Sequence, residues 1–166
     1  PGLKLLLVGI NPGLYTAAVG HHFGRPGNRF WPALHAGGFT PRLYSPFEDE
    51  SLLALGIGMT NVVSRSSPTE NDLTREELRE GGEQLRRKLR VFRPRWVAFL
   101  GIGAYRGAFA LSRAAVGLQP ETLEGARVWV LPNPSGLNAH YTLPRLAVLF
   151  GELREAIERS DSEPAR

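Results

Sequence analysis

Four apolar runs punctuate the chain: Leu3–Ile10, Ile57–Val63, Trp96–Leu100 and Arg127–Leu131. Each is short and nearly continuous rather than alternating, the pattern of a strand buried on both faces. Helical periodicity occupies the intervals, around Arg29–Ala36, Asp49–Leu55, Thr74–Phe92, Ala104–Ser112 and Leu143–Arg159. The Thr74 helix has the clearest limits. Thr74-Arg75-Glu76-Glu77 fits a capping box, Leu78, Leu85 and Leu89 line one face, and Arg93-Pro94 stops it. Strands alternating with helices predict an α/β three-layer sandwich: a mainly parallel central sheet with helices on both faces. The pattern predicts one domain over residues 1–159, followed by a polar tail at 160–166 expected to fray.

Composition narrows the chemistry. No cysteine is present, so disulfides, thiolate metal sites and iron–sulfur clusters are excluded. Net charge is +4, and 18 of the 20 cationic side chains are arginine. That balance permits attraction to nucleic-acid phosphates without requiring it. No apolar run approaches the length of a membrane span and nothing resembles a signal peptide, which predicts a cytoplasmic protein.

Two loops carry the candidate chemistry. Gly9-Ile10-Asn11-Pro12-Gly13 follows the first predicted strand, and Asn133-Pro134-Ser135-Gly136-Leu137-Asn138 follows the last. Turns at the carboxyl ends of strands in open α/β sheets are where such folds bind ligands. The two Asn-Pro turns, 122 positions apart, are therefore expected to form two jaws of one pocket. Long aperiodic stretches at 11–28, 38–47 and 64–73 also suggest functional loops, and Asn28 is placed to cap the helix that follows. Phe30 and Trp31 are expected to pack beneath the sheet.

Familiar templates fail. In Gly101-Ile102-Gly103-Ala104-Tyr105-Arg106-Gly107 the third glycine is one position late for a dinucleotide fingerprint. No Walker lysine follows either Asn-Pro loop, and Ser135 lacks a nucleophile elbow. The four histidines show no zinc-binding spacing, and adjacent His21-His22 is poor chelating geometry, so no metal site is predicted.

Four motifs in order carry a resemblance: GINPG at 9–13, F-x-x-P-x-N-R-F-W at 23–31, the REELREGG segment at 75–82 and LPNPSGLN at 131–138. Over nearly the whole chain, about Leu5 to Ile157, it resembles the mismatch-specific uracil-DNA glycosylases. This is the bacterial branch that includes the thymine-DNA glycosylases, within the uracil-DNA glycosylase superfamily. The resemblance implies a monomeric, monofunctional base-excision enzyme acting on double-stranded DNA with G·U or G·T mismatches. It also implies that no metal or nucleotide cofactor is needed and that an abasic-site endonuclease acts next.

Residue roles follow from the same resemblance. Asn11 corresponds to the asparagine that positions the attacking water. An amide cannot deprotonate water, so the implied route is dissociative, with the uracil anion stabilised by donors in the Asn11–Leu14 turn. An Asx turn, in which Asn11 merely holds its own loop, is the alternative. Phe23 corresponds to the aromatic that stacks on the flipped base, and Ile10, Gly13, Tyr15 and Asn133 complete the expected substrate contacts. Tyr15 is expected to tune acceptance of thymine. Asn133 replaces the histidine of the most active uracil glycosylases, which predicts a modest rate. In the second loop Leu137 is the expected wedge that fills the vacated stack. Gly136 and Asn138 are expected to meet the orphaned guanine, and Ser135 a phosphate. The arginine that relatives carry after the wedge is missing from Asn138-Ala139-His140, leaving His140 as a partial substitute. Asp72 is a further catalytic candidate, as a general base or oxocarbenium stabiliser, against the alternative of a solvated carboxylate ahead of a helix. Two other function classes stay open: a cofactor-binding domain using Gly101–Gly107, and a catalytically weak lesion-binding protein on the same fold.

Overall fold

The computed structural model describes residues 2–12, 20–24, 27–67, 69, 72–111, 113–135 and 138–163. The element order is β1 (Leu5–Gly9), α1 (Phe30–Ala36), a 3₁₀ segment (Pro46–Leu55), β2 (Ile57–Asn61) and α2 (Arg75–Phe92), then β3 (Trp96–Leu100), α3 (Ile102–Phe109), β4 (Gly117–Leu123), β5 (Ala126–Leu131) and α4 (Leu143–Ser162). The five strands form one sheet in the order β2-β1-β3-β5-β4. All neighbours are parallel except the β4–β5 pair.

Strand periodicity divides the core into two layers. Leu5 and Leu7 of β1, Trp96 and Ala98 of β3 and Trp129 and Leu131 of β5 meet α1 and α4 through Phe30, Leu34, Phe150 and Leu153. Leu6, Val8, Val97, Phe99, Val128 and Val130 point the other way, onto Leu85 and Leu89 of α2 and Tyr105 of α3. The result is the three-layer arrangement expected from the alternation of elements, and Phe30 and Trp31 are buried as expected.

The predicted capping box of α2 is formed. Glu77 N–H donates to Thr74 Oγ1 at 3.1 Å, and Thr74 N–H to Glu77 Oε1 at 3.2 Å. Gly81 and Gly82, from the third motif, lie where α2 meets its neighbours. A Cβ on Gly81 would collide with the Val62 carbonyl oxygen, and one on Gly82 would lie 2.6 Å from that of Ala108. That motif is a packing contact rather than a ligand loop.

Three expectations require correction. β4 was not predicted, because Pro120 and the polar Gln119, Glu121 and Thr122 suit only an edge strand. It joins β5 through a tight hairpin in which Glu124 and Gly125 both have positive φ, +49° and +84°. The expected helix at Asp49–Leu55 is a 3₁₀ segment that starts earlier, at Pro46, capped by Ser45 and Glu48. The tail expected to fray from Ser160 is helical to Ser162, because Asp161 pairs with Arg95 and Ser160 Oγ accepts from the Trp96 indole at 3.2 Å.

Candidate active site

Parallel pairing brings the carboxyl ends of β1, β2, β3 and β5 to one edge of the sheet. From β1 the chain crosses to β2 over the α1 face and returns to β3 over the α2 face, so the connections diverge between β1 and β3. Such a switch point opens a crevice at the carboxyl edge. Asn11 follows β1 there, and Asn133 follows β5.

The segment after β2 runs beside the first Asn-Pro loop. Val62 and Val63 N–H donate to the carbonyls of Gly9 and Ile10 at 2.8 and 2.9 Å, and Ser67 N–H to that of Pro12 at 3.4 Å. Asn11 is thereby fixed on both sides. Its Nδ2 donates to the Arg65 carbonyl at 2.9 Å and to Ser67 Oγ at 2.8 Å, which uses both amide hydrogens. Ser67 is buried and donates its own hydroxyl hydrogen to the Thr69 carbonyl at 2.6 Å. Rotating the amide by half a turn would set Oδ1 against the Arg65 carbonyl, so the orientation is determined. Oδ1 is left as an acceptor.

Arg65 is itself anchored by a fork onto Glu77, with Nε–Oε2 at 2.9 Å and Nη2–Oε1 at 3.0 Å, and Nη2 also donates to the Asp72 carbonyl. The Arg65 guanidinium and the Thr74 N–H hold the Glu77 carboxyl at a pKa of about 2. Asp72 is exposed, and its Oδ2 accepts from Thr69 N–H at 3.1 Å and Thr69 Oγ1 at 3.2 Å. Its carboxylate is the outer end of the chain Asn11–Ser67–Thr69–Asp72.

Phe23 and Asn61 meet over Gly9. A Cβ at Gly9 would lie 2.6 Å from Asn61 Oδ1 and 3.6 Å from the Phe23 ring. The absent side chain lets the Asn61 amide and the Phe23 ring approach the Gly9 backbone closely, both half-buried. Phe30 stacks under Phe23, centroids 4.3 Å apart and planes 28° apart. Phe23 also has φ of +54°, a conformation costly for a bulky residue and most common at functional sites.

The strap that leads into Phe23 is tied at Asp49, whose side chain is only 9% exposed. His22 N–H donates to Asp49 Oδ2 at 3.1 Å, and His21 Nδ1 lies 3.2 Å from Oδ1. The Trp31 indole donates to the His22 carbonyl at 3.1 Å. Burial pushes the His22 imidazole below its ordinary pKa, with Asp49 opposing that shift and His21 reinforcing it.

In the second loop Asn133 Oδ1 accepts from Ser135 N–H at 2.9 Å, an Asx turn. Asn138 closes the same loop: its N–H donates to the Ser135 carbonyl at 3.0 Å and its Nδ2 to the Asn133 carbonyl at 3.0 Å. His140 is exposed, and its N–H donates to Asn138 Oδ1 at 3.1 Å. Arg29, at the start of α1, binds this loop through its backbone and its guanidinium. Gly13, Tyr15, Gly136 and Leu137 lie outside the described residues.

Beside Asn11, Phe23 and the second loop the structure thus places Arg29, Asn61, Ser67 and Asp49, which the motifs do not single out. Arg29 stands inside a quoted motif, and Asn61 is a polar residue inside the Ile57–Val63 run, so both were findable. Asn28 is not the N-cap of α1: that position is Arg29, which makes no side-chain cap bond, and Asn28 Oδ1 instead accepts from Phe30 N–H at 2.8 Å in an Asx turn ahead of the helix. Gly101 takes φ of +132° in the turn into α3, while a Cβ on Gly107 would lie 2.7 Å from Leu78; backbone and packing account for both glycines. A separate arginine-rich cleft, lined by Arg90, Arg93, Arg95 and Glu124, lies at the opposite edge of the sheet, at the amino end of β3.

No helix among the described residues is long and apolar enough to cross a membrane. The sequence model of the uracil DNA glycosylase superfamily matches residues 1–156, a span that takes in both Asn-Pro loops and every residue placed above at the carboxyl edge. The chain belongs to the uracil DNA glycosylase superfamily, a membership that carries glycosylase-type hydrolysis of damaged bases.

Proposed function

We propose that the chain excises uracil or thymine mispaired with guanine in double-stranded DNA, as a monofunctional monomer that hands an abasic site to an endonuclease. The observation that carries this reading is the Asn11 amide, whose two hydrogens are committed to Arg65 and Ser67. Oδ1 then accepts a hydrogen bond from one water and holds it, without removing a proton. Such a group suits a dissociative reaction. The C1′–N1 bond breaks with both electrons leaving on N1; the oxocarbenium-like sugar captures the oriented water, which then loses a proton to solvent.

A base must leave the duplex to reach this site. Phe23 offers it a ring face, the other being covered by Phe30, and the Asn61 amide reads its polar edge from the far side of Gly9. Backbone donors in the Asn11–Leu14 turn receive charge developing on the pyrimidine. On the second loop Leu137 fills the vacated stack, Gly136 meets the unpaired guanine, Ser135 contacts phosphate and His140 partly substitutes for the missing arginine. Asn138, expected at the guanine, has its backbone and side-chain groups engaged by the loop and Arg29, and shapes the loop instead. We read Asp72 as a brace: a base there would act from the outer end of the chain that orients Asn11.

One observation favours a second reading, a lesion-binding protein with little activity. Both polar ends of the Asn138 side chain hydrogen-bond within the loop, and a neutral amide there supplies no cation in place of the missing arginine. Alkali treatment of a labelled duplex after incubation separates the two. Scission at uracil opposite guanine, exceeding that at uracil opposite adenine, supports the enzyme; tight binding without scission supports the second reading.

A further inference from the structure

We propose that Arg29 is a positioning residue that pre-shapes the second loop for insertion into DNA; this rests on the reading of Leu137 as a wedge. Its Nη2 donates to the Ser135 carbonyl at 2.7 Å and to the Asn138 carbonyl at 3.0 Å, which bracket the loop tip. Its Nη1 donates to the Tyr141 carbonyl, and its backbone N–H to that of Pro134 at 3.0 Å. One residue thus takes four carbonyls from one loop. Asn138 N–H donating to the Ser135 carbonyl then draws the base of the tip together.

Two features mark this as more than loop packing. First, no ion pair among the described residues includes Arg29; its guanidinium is held by carbonyl dipoles alone. The full cationic charge therefore stays at the face where a polyanion arrives. Second, the next residue is Phe30, which stacks on Phe23. The Arg29-Phe30 dipeptide joins the loop that enters the stack to the ring that receives the base. Ordering that loop during folding removes an entropic cost from DNA binding.

Lysine keeps the charge but cannot span these carbonyls, and glutamine loses both charge and fork. Single-turnover excision is measured on uracil in a fully paired G·U duplex and on uracil flanked by mismatches, where opening is already easy. Arg29→Lys and Arg29→Gln are expected to lose about tenfold on the paired duplex, the effect of about 1.4 kcal/mol. On the loosened substrate the loss shrinks to within roughly threefold, and Leu137→Ala follows the same pattern. Fluorescence of an aminopurine beside the lesion reads insertion without catalysis, and brightens less with either Arg29 variant. Circular dichroism confirms that both variants fold. An equal loss on both substrates, or undiminished brightening, overturns the proposal. Wild-type protein that brightens the probe yet excises nothing overturns the enzymatic reading and leaves the role of Arg29 standing.

Discussion

The Asn11 amide and the Ser67 hydroxyl are 2.8 Å apart, and Ser67 is the buried member of the pair. Ser67 accepts from Asn11 and donates to Thr69, so together with the Arg65 carbonyl it fixes which way the Asn11 amide faces. Ser67→Ala should leave one amide hydrogen unpaired and loosen the amide, held then by the Arg65 carbonyl alone, at about 1–3 kcal/mol in stability. Misplacing the water should lower kcat by up to about a hundredfold. KM for the duplex should hardly move. Ser67→Thr, which keeps the hydroxyl, should retain most of the rate. A Ser67→Ala enzyme with wild-type kcat would show that this contact is structural only.

Substitution of Asp72 separates a base from a brace. Asp72→Asn keeps an oxygen for Thr69 but removes the group that could take a proton. The brace account expects Asp72→Asn to keep its single-turnover rate within about threefold, whereas removing a general base costs about 10²–10⁴-fold. Asp72→Ala, which loses the acceptor altogether, should be slower than Asp72→Asn.

Asp49 governs Phe23 at a distance. Holding a bulky residue in the left-handed region costs about 1–3 kcal/mol, and the two links from Asp49 to His21 and His22 help to hold it there. Asp49→Ala should relax Phe23 and raise KM for the lesion duplex about tenfold, since base–aromatic stacking is worth about 1–3 kcal/mol. Hydrogen exchange at the His22 amide should accelerate in the same variant. Unchanged exchange there would mean that Asp49 does not hold the strap.

Acid should loosen the same site from its outer side. Glu77 has a folded pKa of about 2 against an ordinary 4.5, held down by Arg65 and the Thr74 N–H. Because the folded value is the lower one, its contribution is complete above 4.5 and lost as pH falls toward 2. Glu77→Gln should therefore flatten the decline of Tm over that window. The group is exposed, so the effect should be small and should weaken with salt. A decline identical to wild type would exclude this pair.

Much of this fold was legible, because strands buried on both faces leave little ambiguity: Leu5–Gly9 and Trp96–Leu100 fall within or match their apolar runs. β4 escaped because an edge strand tolerates Pro120 and exposed polar residues, which erases the signal. The site was half legible. Asn11 and Phe23 sit in short local motifs, whereas Ser67 and Asp49 act through contacts 56 and 27 to 28 positions away. Spacing cannot reveal those; only the crossover that brings the segment after β2 beside β1, and the 3₁₀ segment beside the strap, creates them.

On the proposed reading, Asn11 orients water for hydrolysis of a flipped uracil. Single-turnover excision of uracil opposite guanine, by wild-type protein and Asn11→Ala matched for DNA binding, tests it most directly. The account predicts scission by the wild type and a loss of about a hundredfold or more in the variant, with binding retained. An Asn11→Ala protein that cleaves at the wild-type rate would contradict it.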